Sequence, residues 1–541
     1  MKKIIWFIRT VFSVAGWSLV IMILLNIVQG IIGAAEIVIF RYFIDGIASC
    51  VRQYDIVKII VPVVFYTVFA ILSIVIKKIL AYLNWKYSIR MNDGMNNIVW
   101  EKCAGIDMAY FHKADFYDDI VRVTQDGVSG MISLISTVML LIQYFISYIS
   151  VVVILAGYDV VLLVIINALV VPLVIFEMKF SMKLYRTRLD NTEDNRIIEK
   201  LGKLFINYKS NMEIRSYGIK DILLNGIKDV EDRRFNKEKG VRRGQVVMDS
   251  GVNIVYVFLI YLLKLIAVIK SIGRKYSLGV ITMYVQAIDS LSESMQCIVA
   301  TAVEFNVSRL YIDSLMKFME IGDVESGSHE LESIRSIRFE HVWFRYPETD
   351  RYIIKDLSFE ANADEICLIK GSNGCGKSTI IKLITGLYTP DRGDIYINNV
   401  KIGDISASSL NKRITVMFQE YCRYPFTVLR NVDIEEKYHR EDVQDVLAKI
   451  NFDRDIDLQR VLDNEQEGGV EISTGQWQKL AFARAVLRGG DVMIFDEPTA
   501  SIDRETKKLM YGVMSDMTDR IVMVVSHDSA DDDLFDKVIY V

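Results

Sequence analysis

The chain has 541 residues, 52% of them apolar and 24% charged, with a positive mean hydropathy. That length exceeds one compact domain, and that mixture is not what an ordinary soluble protein shows. A net charge of −5 leaves no footprint for nucleic acid, and six scattered cysteines (Cys50, Cys103, Cys297, Cys367, Cys375, Cys422) stand in no metal-ligand spacing and read as free thiols.

Apolar runs at about 11–43, 56–83, 131–156, 159–178, 249–270 and 278–303 each reach the ~20 residues that a bilayer-spanning helix needs. Any one of them alone also reads as a buried helix. The sixth invites that alternative most, because it carries Asp289, Ser290, Ser292, Glu293, Ser294 and Gln296, which suit a wet cavity better than lipid. Connections near 46–55, 157–158 and 271–277 are short, whereas those at about 84–130 and 179–248 are long, charged and helical in pattern. Lys and Arg crowd the second long loop, so the positive-inside tendency puts both loops and both termini in the cytoplasm. Met1-Lys2-Lys3, Arg9 and the following run read as a retained first span rather than a removable signal peptide. Pro62 and Pro172 fall inside spans as candidate kinks.

A polar stretch around Glu325-Ser326-Gly327-Ser328-His329-Glu330 reads as a linker, which gives the expected division 1–321, 322–335 and 336–541. Beyond it Ile337, Phe339, Val342, Phe344 and Tyr346 alternate as in a small antiparallel sheet. Apolar strands at 366–369, 492–495 and 521–525 alternate with helical segments, the order of a mostly parallel sheet covered by helices.

Gly371-Ser372-Asn373-Gly374-Cys375-Gly376-Lys377-Ser378-Thr379 follows one of these strands and opens an apolar helix. Its glycines let backbone N–H groups approach phosphates and the helix directs its positive end at them. Lys377 is placed to neutralise β/γ-phosphates, and Ser378 to hold Mg²⁺. The strand 492–495 ends in Asp496-Glu497, two carboxylates at the sheet edge where a ligand should lie. Asp496 suits a metal-bound role and Glu497 a general base, so Mg-nucleotide hydrolysis is the economical reading.

Ile472-Ser473-Thr474-Gly475-Gln476 resembles the signature sequence of ATP-binding-cassette (ABC) ATPases. It stands in the family's order with the phosphate loop, the Asp-Glu strand, Ala500-Ser501-Ile502-Asp503 and Ser526-His527. Together with six spans and two long loops, the layout resembles ABC exporter half-transporters over nearly the whole chain. The resemblance implies a six-helix membrane domain fused to an α/β P-loop cassette, with ATP and Mg²⁺ as ligands. It further implies that Tyr346 stacks on adenine, where core packing is the alternative. Gln419 would contact Mg²⁺ and water, His527 the γ-phosphate, and Asp503 would communicate between cassettes. Ser473, Gly475 and Gln476 would close over the phosphate loop of a second cassette, so a homodimeric or heterodimeric partner is implied. The segments 111–119 and 213–221 would form short transverse helices resting on the cassettes, and 465–469 would lie near the partner's membrane loops.

Two positions depart from the family's pattern. Thr474 stands where glycine is usual, and its Cβ is expected to crowd a phosphate or restrict the backbone. The sequence ends at Val541, where relatives usually continue with a helical segment. Within the spans, Asp289 and Glu293 share a helix face, and Glu36 and Lys264 are candidates to pair; an acidic cavity suits a cationic cargo. Segments 418–428, 468–471 and 477–479 look most like bacterial peptide and lantibiotic exporters, which makes a peptide released across the bacterial cytoplasmic membrane the expected cargo. The same architecture serves lipid and drug exporters, and a non-transporting membrane sensor is the rival of another class, disfavoured by Glu497. An importer, with its separate cassette chain, is disfavoured, and the six apolar runs exclude a soluble ABC ATPase acting on ribosomes or DNA.

Overall fold

A computed structural model describes residue 12 and residues 16–51, 55–157, 159–323, 327–372, 374–453, 455–526 and 535–541. Met1-Lys2-Lys3, Arg9, Asn373 and His527 therefore lie outside the described residues. The chain divides into two compact units, one of residues 1–104 and 114–321, the other of 105–113 and 322–541.

The first unit is helical. Six long helices follow from the six apolar runs: Trp17–Cys50, Val57–Gly105, Val128–Ala156, Val160–Asp190, Lys220–Gly273 and Leu278–Met319. Several continue well past the apolar stretches, so much of each long connection is an extension of the flanking helices. Thr192–Ile206 and Tyr208–Tyr217 fill the second connection. Among the described residues, four of the six are long and apolar enough to cross a membrane, and Val160–Pro172 is a shorter apolar run. The helix 278–319 falls short because Asp289, Ser290, Glu293 and Gln296 dilute it. It still buries Val280, Met283, Tyr284, Ala287, Ile288 and Leu291 in a cluster with Val151, Leu155, Ile166, Tyr256 and Ile260. Pro62 and Pro172 sit inside helices.

Several polar groups in this unit pair with one another, as an apolar interior favours, although Gln29 Oε1 and the Tyr87 hydroxyl are buried without a hydrogen-bond partner among the described residues. Gln29 donates to Ser73 at 2.9 Å, Ser147 meets Ser294 at 3.0 Å, and Tyr256 meets Ser292 at 2.6 Å. Lys264 forms an ion pair with Asp289 and sits over the Tyr261 ring, 4.4 Å from its centroid. The expected Glu36–Lys264 pair is thus replaced. Asp289, on the helix Leu278–Met319, is the carboxylate that Lys264 pairs with. At the short-connection end, Asp45 accepts from the Ser277 hydroxyl and the Gly279 amide, both at 2.9 Å, and so caps the last long helix.

The second unit carries both sheets. A four-stranded antiparallel sheet has the order β2 (Ile354–Asn362), β1 (Ser336–Phe344), β4 (Arg392–Ile397), β5 (Val400–Lys401), and a five-stranded parallel sheet the order β6 (Ile414–Met417), β7 (Val492–Asp496), β8 (Ile521–Val525), β3 (Ile366–Lys370), β9 (Lys537–Tyr540). The alternation read from Ile337 to Phe344 changes phase once, between Phe339 and Val342, where the pairing with β2 shifts register. His341, at φ 49°, accommodates the extra residue of this bulge. Strands β7 and β8 are buried along their whole length. Each fully buried aliphatic side chain there contributes roughly 1.5–3 kcal/mol, so the edge from which Asp496 and Glu497 emerge is rigid.

Candidate nucleotide site

The phosphate loop leaves β3 at Gly371 and ends in a helix over Lys377–Ile384. Gly374 and Gly376 sit at φ +78° and +115°, backbone that a side chain strains. A Cβ on Gly376 would stand 2.6 Å from Ile354 Cδ1, whereas one on Gly374 would meet nothing within 4 Å. The loop is thus closed on its protein side and open on the other. Lys377 is buried, and its Nζ donates to the carbonyls of Gly371 at 2.9 Å and Ser372 at 3.1 Å. The ammonium is stretched across the loop, where an anion's charge would draw it off those carbonyls.

Strand register explains what gathers beside it. The Ser378 hydroxyl donates to Asp496 Oδ2 at 2.9 Å, and Asp496 is only 2% exposed. In the parallel pairing of β6 with β7, Met417 faces Phe495. Two residues beyond that pair the chain reaches Gln419 on one strand and Glu497 on the other, and Gln419 Nε2 donates to Glu497 Oε2 at 3.1 Å. Glu497 itself has φ +50°, which costs a residue with a Cβ on the order of 1 kcal/mol or more. Lys377, Ser378, Asp496, Gln419 and Glu497 therefore form one connected cluster of the residue types a Mg-nucleotide requires, and the open cradle fits a phosphate chain.

Tyr346 is partly buried against the core of the second unit formed by Phe344, Ile354, Ile369 and Ile380. Its hydroxyl lies 3.0 Å from Thr379 Oγ1 and accepts from Lys382 Nζ at 3.2 Å. It also lines a pocket of about 890 Å³ with Asp107, Tyr110, Phe344 and Tyr388. His112, at the end of the short helical turn Met108–His112, packs its ring 5.3 Å from that of Tyr346, and its Nε2 lies 2.8 Å from the Tyr388 hydroxyl. Burial, then the neighbouring Tyr346 and Asp107, pushes the Tyr388 phenol up to about 12. Within the expected segment 111–119, this turn ends at His112 and a separate helix spans Ala114–Val121.

The signature residues lie apart from this cluster. Ser473 caps the helix Thr474–Arg488 by accepting from the Gln476 amide. Thr474 is the first helical residue, its carbonyl accepts from the Tyr421 hydroxyl at 3.1 Å, and it is not among the residues with positive φ. The expected backbone restriction therefore does not arise, because threonine adopts this conformation freely. Gly475 is required by close approach, since a Cβ there would stand 2.9 Å from the Ser501 carbonyl oxygen. Gln476 Oε1 is buried without a hydrogen-bond partner among the described residues. Asp503 caps the helix Arg504–Ser515 by accepting from the Thr506 amide at 2.9 Å, and that bond holds its carboxyl below the usual range. Among the described residues, no hydrogen bond joins Ser473, Gly475 or Gln476 to the phosphate loop.

Three arrangements escaped the sequence: the Gln478 side-chain amide, which donates to the Glu497 carbonyl at 2.9 Å, the His112 contact with Tyr346 and Tyr388, and the Lys264–Asp289 pair. Each depends on side chains that meet only through tertiary packing.

Residues 354–500 match the family model described as ABC transporter. Over the whole chain, the subtilin transport ATP-binding protein SpaT of Bacillus subtilis is 24% identical, the match covering 100% of this chain and 89% of that protein. The nisin transport ATP-binding protein NisT of Lactococcus lactis subsp. lactis is 23% identical, covering 96% and 88%. An ATP-dependent lipid A-core flippase of Pasteurella multocida is 26% identical over 66% of this chain and 63% of its own. The solved structure of a bacterial Atm1-family ABC exporter with ATP bound superposes with a TM-score of 0.79 at 16% identity, covering 96% of this chain and 93% of that one.

Proposed function

We propose that this chain, an ATP-hydrolysing ABC transporter subunit of exporter fold, exports a peptide across a bacterial cytoplasmic membrane. The observation that carries the hydrolytic half is the single cluster of Lys377, Ser378, Asp496, Gln419 and Glu497. The peptide is supported by the two full-length relatives whose names describe subtilin and nisin transport. The lipid A-core flippases favour a second reading, a lipid cargo, although their likeness covers less of the chain.

In this reading residues 336–541 form the nucleotide-binding domain, 322–335 the linker and 1–321 the membrane domain, with both termini cytoplasmic. Gly371, Ser372, Asn373, Gly374, Cys375, Gly376 and Thr379 wrap the phosphates, Lys377 neutralises them, and Tyr346 takes the adenine. Ser378, Asp496 and Gln419 would hold Mg²⁺, which supplies charge neutralisation at the β- and γ-phosphates when bound. Glu497 accepts a proton from the attacking water, its carboxylate oriented by the Gln419 amide. His527 contacts the γ-phosphate and Asp503 relays between cassettes.

Ser473, Gly475 and Gln476 serve the site of a second half-transporter. Their separation from the chain's own phosphate loop and the unpartnered Gln476 Oε1 support that dimer, whether its partner is alike or unlike. Closure of the two cassettes biases a two-state membrane domain through differential contacts.

The test compares bacterial cells carrying the chain with cells carrying Glu497→Gln. Mass spectrometry of the two culture media should find a peptide released only by the unaltered chain. A lipid in its place establishes the second reading, and identical media, with the partner subunit co-expressed, overturn export in favour of a sensor.

A further inference from the structure

Gln478 lies in the second turn of the helix Thr474–Arg488, is 4% exposed, and belongs to none of the groups expected to touch nucleotide. Both ends of its amide are used on backbone far along the chain. Its Nε2 donates to the Glu497 carbonyl at 2.9 Å, and its Oε1 accepts from the Ser501 amide at 3.0 Å. These two bonds clasp the loop from Glu497 to Ser501 at both ends. The Glu497 amide donates to the Val525 carbonyl at 3.0 Å, so the peptide groups on either side of its Cα are held by different elements. A residue so held keeps a left-handed φ that it would otherwise leave. Gly475, whose missing Cβ lets the same helix approach the Ser501 carbonyl, completes the contact.

We propose that Gln478 is a positioning residue for hydrolysis: its side-chain amide holds the backbone of Glu497 in the left-handed conformation that aims the carboxylate at Gln419. Gln478 touches no reacting atom. The inference rests on the reading of Glu497 as general base. An amide is needed because one side chain must donate to a carbonyl and accept from an N–H at once, which a carboxylate does not do and a protonated carboxyl does.

Gln478→Glu and Gln478→Ala test this in the full chain, reconstituted in lipid nanodiscs with any subunit that co-purifies. For Gln478→Ala, kcat for ATP should fall about tenfold while KM stays within about twofold, the pattern of lost transition-state alignment rather than lost binding. Gln478→Glu, almost the same shape, should be impaired at neutral pH, and its kcat relative to the unaltered chain should climb as pH falls and the new carboxyl gains its proton. An unchanged kcat in both variants overturns the proposal. So does a Gln478→Glu deficit that is flat with pH and tracks a lowered melting temperature, since that is a packing role. Absence of hydrolysis by the unaltered chain would instead bring down the reading of the site itself.

Discussion

The two units spend their polar residues in different ways. In the cassette a handful of charged and polar groups converges from three places, the turn after β3 and the ends of β6 and β7, brought together by β-sheet register and one glycine-rich turn. In the helical unit polar groups are spread along the helices and quench one another in pairs, as Lys264 does with Asp289 and Tyr256 with Ser292. Backbone register brings the first set together, with the Gln478 side chain as the added clasp on Glu497. Only the identity of the opposing side chain places the second. Substitutions in the cassette should therefore change chemistry and leave the fold, whereas substitutions in the helical unit should first change stability and be reparable by a second change.

The largest expected effect tests the first half of that contrast. Glu497→Gln keeps the shape and the Gln419 contact but removes the base, so phosphate release should fall by about 100-fold or more with no change in melting temperature beyond a few degrees. A fall in both together would mean that the carboxylate holds the strand edge as well as the water.

A smaller effect tests the second half. Asp289→Leu leaves the Lys264 ammonium, only 14% exposed, without its partner. Breaking a fully buried pair costs ~3–5 kcal/mol. Asp289 is 56% exposed, so the loss here should be roughly 1–3 kcal/mol on the same reasoning. Adding Lys264→Met should restore most of the melting temperature in detergent. ATPase activity retained while transport is lost in the repaired protein would mark the pair as part of the cargo path, and transport retained would mark it as structural.

The signature sits between these cases. Thr474 has ordinary helical backbone and gives its carbonyl to Tyr421, so Thr474→Gly changes only what the Cβ touches. ATPase turnover should then move less than about threefold, with a small loss of stability from the added backbone freedom. A gain of tenfold would show that the Cβ crowds a phosphate across the dimer.

How much of this was legible in the residues follows the same division. Phosphate loop, signature and Asp-Glu strand are contiguous, and their chemistry is written into neighbouring letters. Gln419 and Glu497 stand 78 residues apart and meet because Met417 pairs with Phe495, which the sequence suggests only through family resemblance. Gln478 is hidden because a glutamine on a helix face looks like any solvated residue until the loop beneath it is placed. Lys264 had two carboxylates to choose from, Glu36 and Asp289, and helical periodicity sets the level of each along its helix but not the rotation that brings two helices' faces together.

The smallest effect concerns Asp503, whose charge and whose cap are separable. The Thr506 amide donates to its carboxylate and holds its pKa below the usual value of 3.8. A depressed carboxyl stabilises the fold above its unfolded pKa, and that contribution fades as pH falls through the lower folded value. Asn caps a helix about as well as Asp but carries no charge to favour the helix N-terminus. The melting temperature of the unaltered chain should thus exceed that of Asp503→Asn slightly at pH 7, and the gap should close as pH drops below about 4. ATPase cooperativity measured at pH 7 separates the other role: if Asp503→Asn keeps its cap yet loses coupling between the two cassettes, the charge does the relaying, and if coupling survives, the capped helix alone suffices.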